Sequence, residues 1–519
     1  MPGRRTRGAP GALARLGLLG SVLAVVVVGT TPAALDPVSA HRSPARPAAA
    51  APPLAPGSQP NVVVVMTDDM TASDLRWMPK TRRLLGRAGT TFTDAVSPNP
   101  VCCPARAAFI TGLESHNSGV WSNKGQMGGY QALNRHNLLP LWLKRAGYRT
   151  AFLGKHLNGY RPDRPRPERG WTVHDPLIGG IYSYRTFTTW NDGDPRRVKD
   201  GYVTRHLTRT TGEVLRRFER RDARPFFLWM AHLAPHIARR NGCQAGCWGP
   251  PRPERRDRGD FADTPAPSRS SEAFNRDGGR DKPFFLRDRE PLDEDEVQAW
   301  FARRIESLQS VDRSVAATVE RLRRLGELHR TLLVFTSDNG FLLGEHRYVG
   351  KRLPYEASVR VPLLVRGPGV RRGARVDHLV TTVDLTQTIT RVAGALPPYP
   401  LDGVNLRRVL TRRGASAPRA ATILQNGGAL APVPGVPAWL YRGYRDARYT
   451  YARYPDDGSG SPYEELYDRA VNPSQIDNVV GDPAYTAVLQ LVRGRAQALH
   501  DCTGSSCHPD WEPLPTPGP

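Results

Sequence analysis

The stretch that most limits how this chain can fold is Asn61-Val62-Val63-Val64-Val65-Met66, which runs directly into Thr67-Asp68-Asp69. A short, unbroken, β-branched apolar run has no polar face to offer water, so it reads as a strand covered on both sides. Strands of that kind belong to parallel sheets whose crossover helices cover both faces. Similar runs occur at Thr150 to Leu153, Phe226 to Met230, Leu332 to Thr336 and Val361 to Val365, with helical patterns such as Leu138 to Ala146 and Val297 to Leu325 between them. Strands alternating with helices predict an α/β fold.

The segments around this core have a different character. Arg4, Arg5, Arg7 and Arg15 precede an apolar run from Leu16 to Val28 and then small residues ending at Val38-Ser39-Ala40, the order of a signal peptide over residues 1–40. That run is shorter than the roughly 20 residues of a membrane span, so no stable span is expected once the signal is removed. A Pro/Ala-rich spacer follows to residue 60, and the folded part is expected to begin near Asn61. Between His236 and Leu292 periodicity is lost among Arg, Asp, Pro and Gly, which predicts a long surface excursion. After about Ala395 the pattern changes to Pro-rich segments, a strand-like Tyr449 to Arg453 and a terminal helix from about Ala484 to His500. Residues 61–395 are therefore taken as the main domain and 396–519 as a smaller α+β subdomain.

Six cysteines occur, and an exported chain meets an oxidising environment. Their spacing predicts Cys243–Cys247 and Cys502–Cys507 pairs and leaves Cys102 and Cys103 side by side, a poor staple and therefore a candidate for chemistry. The net charge of +24 suits polyanionic partners but also follows from a composition rich in arginine. No nucleic-acid module and no basic stripe interleaved with aromatics is present, so nucleic acid is not expected as a partner.

Two of the predicted strands end in acidic residues: the first in Asp68-Asp69, the Leu332 to Thr336 strand in Ser337-Asp338-Asn339-Gly340. The carboxyl edge of a parallel sheet is where ligands bind. Three carboxylates and an amide oxygen converging there call for a hard cation, Ca²⁺ or Mg²⁺. The bland alternative is that these residues are helix caps and turns. In Val101-Cys102-Cys103-Pro104-Ala105-Arg106, Pro104 marks the start of a helix, so both cysteines sit at an amino end suited to anions.

Cys102-x-Pro104-x-Arg106, followed by Thr111-Gly112, resembles the C-x-P-x-R signature of the type I sulfatases. The resemblance extends from Asn61 to about Cys507, and the Cys-Cys-Pro form is similar to the N-acetylglucosamine-6-sulfatase and extracellular heparan endosulfatase branch. Ala105 stands where many members carry serine. The resemblance implies an alkaline-phosphatase-like fold: a mixed, mostly parallel sheet covered by helices, with the smaller C-terminal subdomain. It implies a secreted or extracytoplasmic enzyme that hydrolyses sulfate monoesters, here 6-O-sulfate on N-acetylglucosamine-type glycans. It also implies that a formylglycine-generating enzyme converts Cys102 to formylglycine (3-oxoalanine). A hydroxyl of the hydrated aldehyde then attacks sulfur, assisted by Asp338, and the sulfated intermediate expels sulfate to restore the aldehyde.

The same resemblance implies the other roles. Asp68, Asp69, Asp338, Asn339 and the modified Cys102 hold Ca²⁺, and Arg106 adds positive charge. Gly154-Lys155-His156-Leu157-Asn158 is similar to the branch's G-K-Y-L-N segment, which places Lys155 beside the formylglycine; His156 stands at the variable position and inherits no role. Ala234-Pro235-His236, after the Phe226 strand, presents His236 as the proton donor to the departing alkoxide, with His232 as a packed strand residue. Gly344-Glu345-His346-Arg347 and Gly350-Lys351 supply Lys351 to the sulfate and His346 to the ester. Glu465-Leu466-Tyr467-Asp468 with Asn472-Pro473 is similar to the family's late E-L-Y-D…D-P element, with Asn in place of the second Asp. Three other readings stand beside this one: an arylsulfatase of different substrate, a phosphoester hydrolase of the alkaline phosphatase superfamily, and a non-catalytic protein that binds sulfated glycans.

Overall fold

The computed structural model describes residues 59–162, 167–220, 224–240, 248–427, 439–455 and 460–518. The leader, the spacer up to residue 58 and the Cys243–Cys247 pair lie outside these residues. Ten strands build the main sheet: β1 (Asn61–Thr67), β2 (Thr90–Phe92), β3 (Arg149–Gly154), β4 (Val173–Gly179), β5 (Phe187–Asn191), β6 (Asp194–Val198), β7 (Phe226–Ala231), β8 (Thr331–Ser337), β9 (Leu363–Arg366) and β10 (Ala374–Val376). They are ordered β10-β2-β9-β8-β1-β7-β3-β4-β5-β6. The centre, β8-β1-β7-β3-β4, is parallel, and β9 and β5 run antiparallel beside it. The Val361 to Val365 run is thus a reversed strand, two residues later than its apolar pattern indicated.

β1 is buried at every position because both its faces are covered. Val62, Val64 and Met66 face a layer made by α1 (Cys102–Thr111), α2 (Leu139–Arg145) and, further along, Leu385 and Ile389. Val63 and Val65 face α3 (Val203–Glu219) and α4 (Glu294–Arg324). The 31-residue α4 is well specified locally. Asp293 caps it by accepting from the Glu296 N–H at 2.8 Å, acidic residues fill its first turn and arginines its last, each matching the helix dipole.

A second, antiparallel sheet contains β11 (Ala421–Gly427), β12 (Trp439–Asp446), β13 (Tyr449–Tyr454) and β14 (Tyr463–Asp468) in that order. One face packs on α5 (Thr486–His500) through Ile423, Tyr444 and Leu466 against Val488 and Val492. The other face meets Val96, Val359 and Leu379. Arg445, wholly buried, is held by Asp94 and Glu356 of the main body. Cys502 and Cys507 form a disulfide, whereas Cys102 and Cys103 are free. Among the described residues no helix is long and apolar enough to cross a membrane.

Candidate active site

The sheet register assembles the site. β1 and β8 are adjacent, parallel and paired Thr67 to Ser337, so the residues that follow them emerge at the same edge. Asp69 adopts a left-handed backbone (φ 66°), and its N–H donates to Asp338 Oδ1 at 3.1 Å. Asn339 Nδ2 donates to Asp69 Oδ1 at 2.7 Å. The four sequence-predicted oxygen donors therefore lie together, all fully buried.

α1 presents Cys102 to this edge. Asn123 Oδ1 accepts the Cys103 N–H at 2.9 Å, which satisfies one of the open donors of the first turn. Cys102 Sγ lies 3.3 Å from Asp68 Oδ1, and Lys351 Nζ donates to the same sulfur at 2.8 Å. Lys351 also pairs with Asp69, and Lys155 pairs with Asp68. Arg106 donates from Nε to Asp338 Oδ2 at 2.8 Å and from Nη1 to the Lys155 carbonyl at 2.6 Å. Three carboxylates, Asp68, Asp69 and Asp338, thus face three cations, Lys155, Lys351 and Arg106.

Buried charges persist only when paired. Burial would raise the Asp68 carboxyl, but Lys155, His236, Arg106 and Lys351 outweigh it and hold Asp68 well below the usual carboxylate range. Asp338 is shifted the other way, upward, by burial and by the Asp68 charge. The Cys102 thiol is pushed up by burial and then by Asp68, so as a cysteine it is not a thiolate at neutral pH.

His236, at the end of the segment that follows β7, stands 3.7 Å from Asp69 Oδ2 through Nε2. Its Nδ1 is 2.7 Å from the Ile237 carbonyl, which can only accept, so Nδ1 carries the hydrogen. Burial lowers its pKa to about 4. His232 is fully buried within the core beside β7. His346 packs its ring on Tyr355 at 4.4 Å, with its backbone N–H on the Ala273 carbonyl, away from the bonds that join the cluster. His156 turns into an aromatic nest of Tyr130, Phe152, Tyr160 and His174. Only Lys351 (13% of its side chain) and His236 (7%) open the cluster to the surface.

Sequence reasoning passed over two neighbours. Tyr182 stacks on His236 (4.6 Å), lies 5.3 Å from Lys155 Nζ and donates its hydroxyl to Asn158 Oδ1 at 3.1 Å. It falls in a stretch with no periodic or motif signal. Asn158 sends its N–H to Cys103 Sγ at 3.1 Å, which the G-K-x-L-N segment hinted at without giving a role.

The donor set fits a hard cation. Asp69 Oδ2 and Asn339 Oδ1 are buried without a hydrogen-bond partner and belong to residues of the same cluster. Asp68, Asp69, Cys102 and His236 offer ligand atoms within 4.8 Å of one another.

Comparison with known proteins agrees with this geometry. The sulfatase family profile matches residues 60–395, and the profile of the N-sulphoglucosamine sulphohydrolase C-terminal region matches 344–501. The N-acetylglucosamine-6-sulfatase of Homo sapiens is 30% identical over 497 residues, 86% of each chain. A putative extracellular sulfatase Sulf-1 homolog of Caenorhabditis elegans is 30% identical over 362 residues, 67% of this chain and 49% of that one. The chain therefore spans about half the length of that relative, and 32% of the Drosophila melanogaster SULF-1 homolog. In fold, the chain is similar to BT4656, solved with its substrate D-glucosamine-2-N,6-O-disulfate (TM-score 0.68, 22% identity, 85% of this chain and 97% of that one). It is also similar to the phosphonate monoester hydrolase of Agrobacterium radiobacter (TM-score 0.61, 20% identity, 85% and 95%). With its C-x-P-x-R cysteine held between carboxylates and lysines at the sheet edge, and a profile match across most of its length, this chain belongs to the sulfatase family.

Proposed function

We propose that the protein is a secreted sulfuric ester hydrolase acting on sulfated glycans, with 6-O-sulfate of N-acetylglucosamine-type units as substrate, formylglycine at position 102 and one Ca²⁺. The observation that carries the reading is Cys102 Sγ at a helix amino end, between Asp68 at 3.3 Å and Lys351 at 2.8 Å. An unmodified thiol there is held protonated, which favours its use in another chemical form. Formylglycine, when formed, supplies a geminal-diol hydroxyl as nucleophile.

Asp68, Asp69, Asp338, Asn339 and the modified residue 102 would hold Ca²⁺, which adds positive charge opposite the sulfuryl oxygens. The three carboxylates and three side-chain cations balance one another, so a divalent cation leaves an excess that an anionic ester matches. Lys155, Lys351 and Arg106 oppose the charge that builds on the sulfuryl group, and Lys351 stands at the open side where the ester enters. His236 is fixed by its Nδ1–H bond to Ile237, so Nε2 is the atom that would take up a proton and pass it to the departing oxygen, the charged ring being favoured once the anionic ester stands beside it.

The sugar assignment rests on the N-acetylglucosamine-6-sulfatase relative and on the surface next to the site. A cavity of 690 Å³ is lined by Arg185, Arg239, Arg240, Arg252, Arg255 and Arg258. Arg239 and Arg240 also line the neighbouring cavity with Tyr182, the residue stacked on His236. Arginine-rich walls suit further sulfates along a polymer. Secretion is supported by the extracellular relatives and by the leader-like sequence.

The test is to produce the protein with and without a formylglycine-generating enzyme and to follow residue 102 by peptide mass spectrometry. Turnover is then measured on an aryl sulfate, on glucosamine-6-sulfate saccharides and on a phosphonate monoester. Saccharide turnover that appears only with the modified residue is expected. Undiminished sulfatase activity in Cys102→Ala refutes the nucleophile, phosphonate turnover alone refutes the reaction class, and aryl turnover without saccharide turnover removes the sugar.

A further inference from the structure

Beside the cluster lies a second group of ligating side chains that the sulfatase chemistry does not use. β3 and β4 are parallel neighbours with Phe152 opposite His174. His156, just past the end of β3, and His174, near the start of β4, bring their rings to a centroid distance of 5.8 Å. Glu168, in the segment that joins the two strands, puts one oxygen between them: Oε2 is 3.7 Å from His156 Nε2 and 3.9 Å from His174 Nε2. Its other oxygen accepts from the Tyr130 hydroxyl.

This arrangement is costly as it stands. The relative exposures of His156 and His174 are 4% and 0%, yet all four ring nitrogens lack a hydrogen-bond partner. A buried polar atom left unsatisfied costs about 1–3 kcal/mol. A site that needed only to fill space among Tyr130, Phe152, Tyr160 and Trp171 would be served by phenylalanine. Ion pairing does not explain it either, because burial holds both imidazoles neutral, His156 at about 3 and His174 well below its ordinary value.

Two neutral imidazoles and a carboxylate oxygen are what a divalent transition metal binds. Zinc takes nitrogen and oxygen ligands at about 2.0–2.2 Å, which puts tetrahedral ligands roughly 3.3 Å apart. The three ligand atoms here lie within 4.8 Å of one another, so a shift of several tenths of an ångström closes them on an ion. Tyr130 would orient the carboxylate from outside, as partners of metal-bound carboxylates do. Glu168, 11% exposed, gives the ion its way in, and water would complete the coordination.

We propose that His156, His174 and Glu168 bind one Zn²⁺ ion, distinct from the Asp68–Asp69–Asp338 cluster, and that this ion fastens the segment between β3 and β4. That segment begins next to Lys155, which pairs with Asp68, and contains Asn158, whose N–H reaches Cys103 Sγ. The ion is a positioning element for these two residues, not part of the reaction.

The test uses the full chain stripped with a chelator and then loaded with Ca²⁺. On adding Zn²⁺ and desalting, wild type is expected to keep about one equivalent and to melt a few degrees higher. Added Co²⁺ is expected to give the visible absorption of a four-coordinate site. Glu168→Gln and His174→Phe are expected to lose at least about tenfold in Zn²⁺ affinity, in the range seen when ligation is disturbed, while their response to Ca²⁺ is kept. Asp69→Asn is expected to keep its Zn²⁺. Failure of wild type to bind Zn²⁺ or Co²⁺ overturns the proposal even if neither variant folds. So does undiminished Zn²⁺ in both ligand variants, or loss of Zn²⁺ in Asp69→Asn.

Discussion

Arg106→Met probes whether the cluster is balanced by side-chain charge. Arg106 is wholly buried, its Nε lies 2.8 Å from Asp338 Oδ2, and its Nη2 lies 3.8 Å from Asp68 Oδ2. At an effective dielectric of about 20, unit charges 2.8 Å apart attract by roughly 6 kcal/mol. Part of that is offset because methionine escapes the desolvation of a guanidinium. Breaking one side of a buried pair nets about 3–5 kcal/mol. For a folded body of this size that is a fall of roughly 3–6 °C in Tm, scaled from the unfolding entropy per residue.

The pH dependence has a fixed sign. The Asp338 carboxyl is raised in the folded state by burial and Asp68, and Arg106 partly restrains it. A raised carboxyl contributes stability below its unfolded pKa and loses it as pH rises through the folded value. Without Arg106 the folded value climbs further, and Asp68 loses one of the charges that depress it. The gap between wild type and variant should therefore be widest near pH 8 and narrow toward pH 5. The assay is thermal melting by circular dichroism in chelator-containing buffer across that range. A loss under about 1 kcal/mol, or a gap that does not change with pH, refutes the account of Arg106 as the partner of these carboxylates.

Further outcomes follow from the same geometry. Ca²⁺ at about a hundredfold its Kd should stabilise the protein by about 2.7 kcal/mol, and Asp69→Asn should remove that increment in calorimetry. His236→Gln should lower kcat on an alkyl sulfate by about 10²–10⁴-fold but by less than about tenfold on p-nitrophenyl sulfate, whose leaving group needs no proton; equal losses on both would rule out the donor role. Cys502 and Cys507 are five residues apart, so replacing both by alanine should cost about 2 kcal/mol in denaturant unfolding if loop closure dominates; an effect near zero would show that the His116 and Asn117 contacts to the Cys502 carbonyl hold that end unaided.

Much of the fold was legible because its signals are local. The β1, β3, β7 and β8 runs were found within a residue or so, since a strand buried on both faces must be continuously apolar. The direction of β9 was not legible, because an apolar run looks the same in a parallel or an antiparallel neighbour. Cys102, Arg106, Lys155, Lys351 and His236 were picked out by motif, and the structure brings them to one sheet edge. His346 was offered by the same loop motif as Lys351 but with a weaker signal, and its ring packs on Tyr355. A loop histidine's direction depends on backbone turns, here a φ of 55°, that its residue type does not encode.

By itself the sequence determined which chemistry was on offer: acidic residues at strand ends, a C-x-P-x-R cysteine at a helix start, and apolar runs that force a covered sheet. Only the tertiary structure decided which of these meet. Asp68 and Asp338 are 270 residues apart in sequence and become neighbours because β1 and β8 pair in register, Thr67 to Ser337. Likewise His156, Glu168 and His174 resemble nothing in the sequence until the alignment of β3 with β4 and the intervening segment bring their ligand atoms within reach. The physical reason is that periodicity and capping act over a few residues, whereas register and loop path are set by how whole buried faces fit.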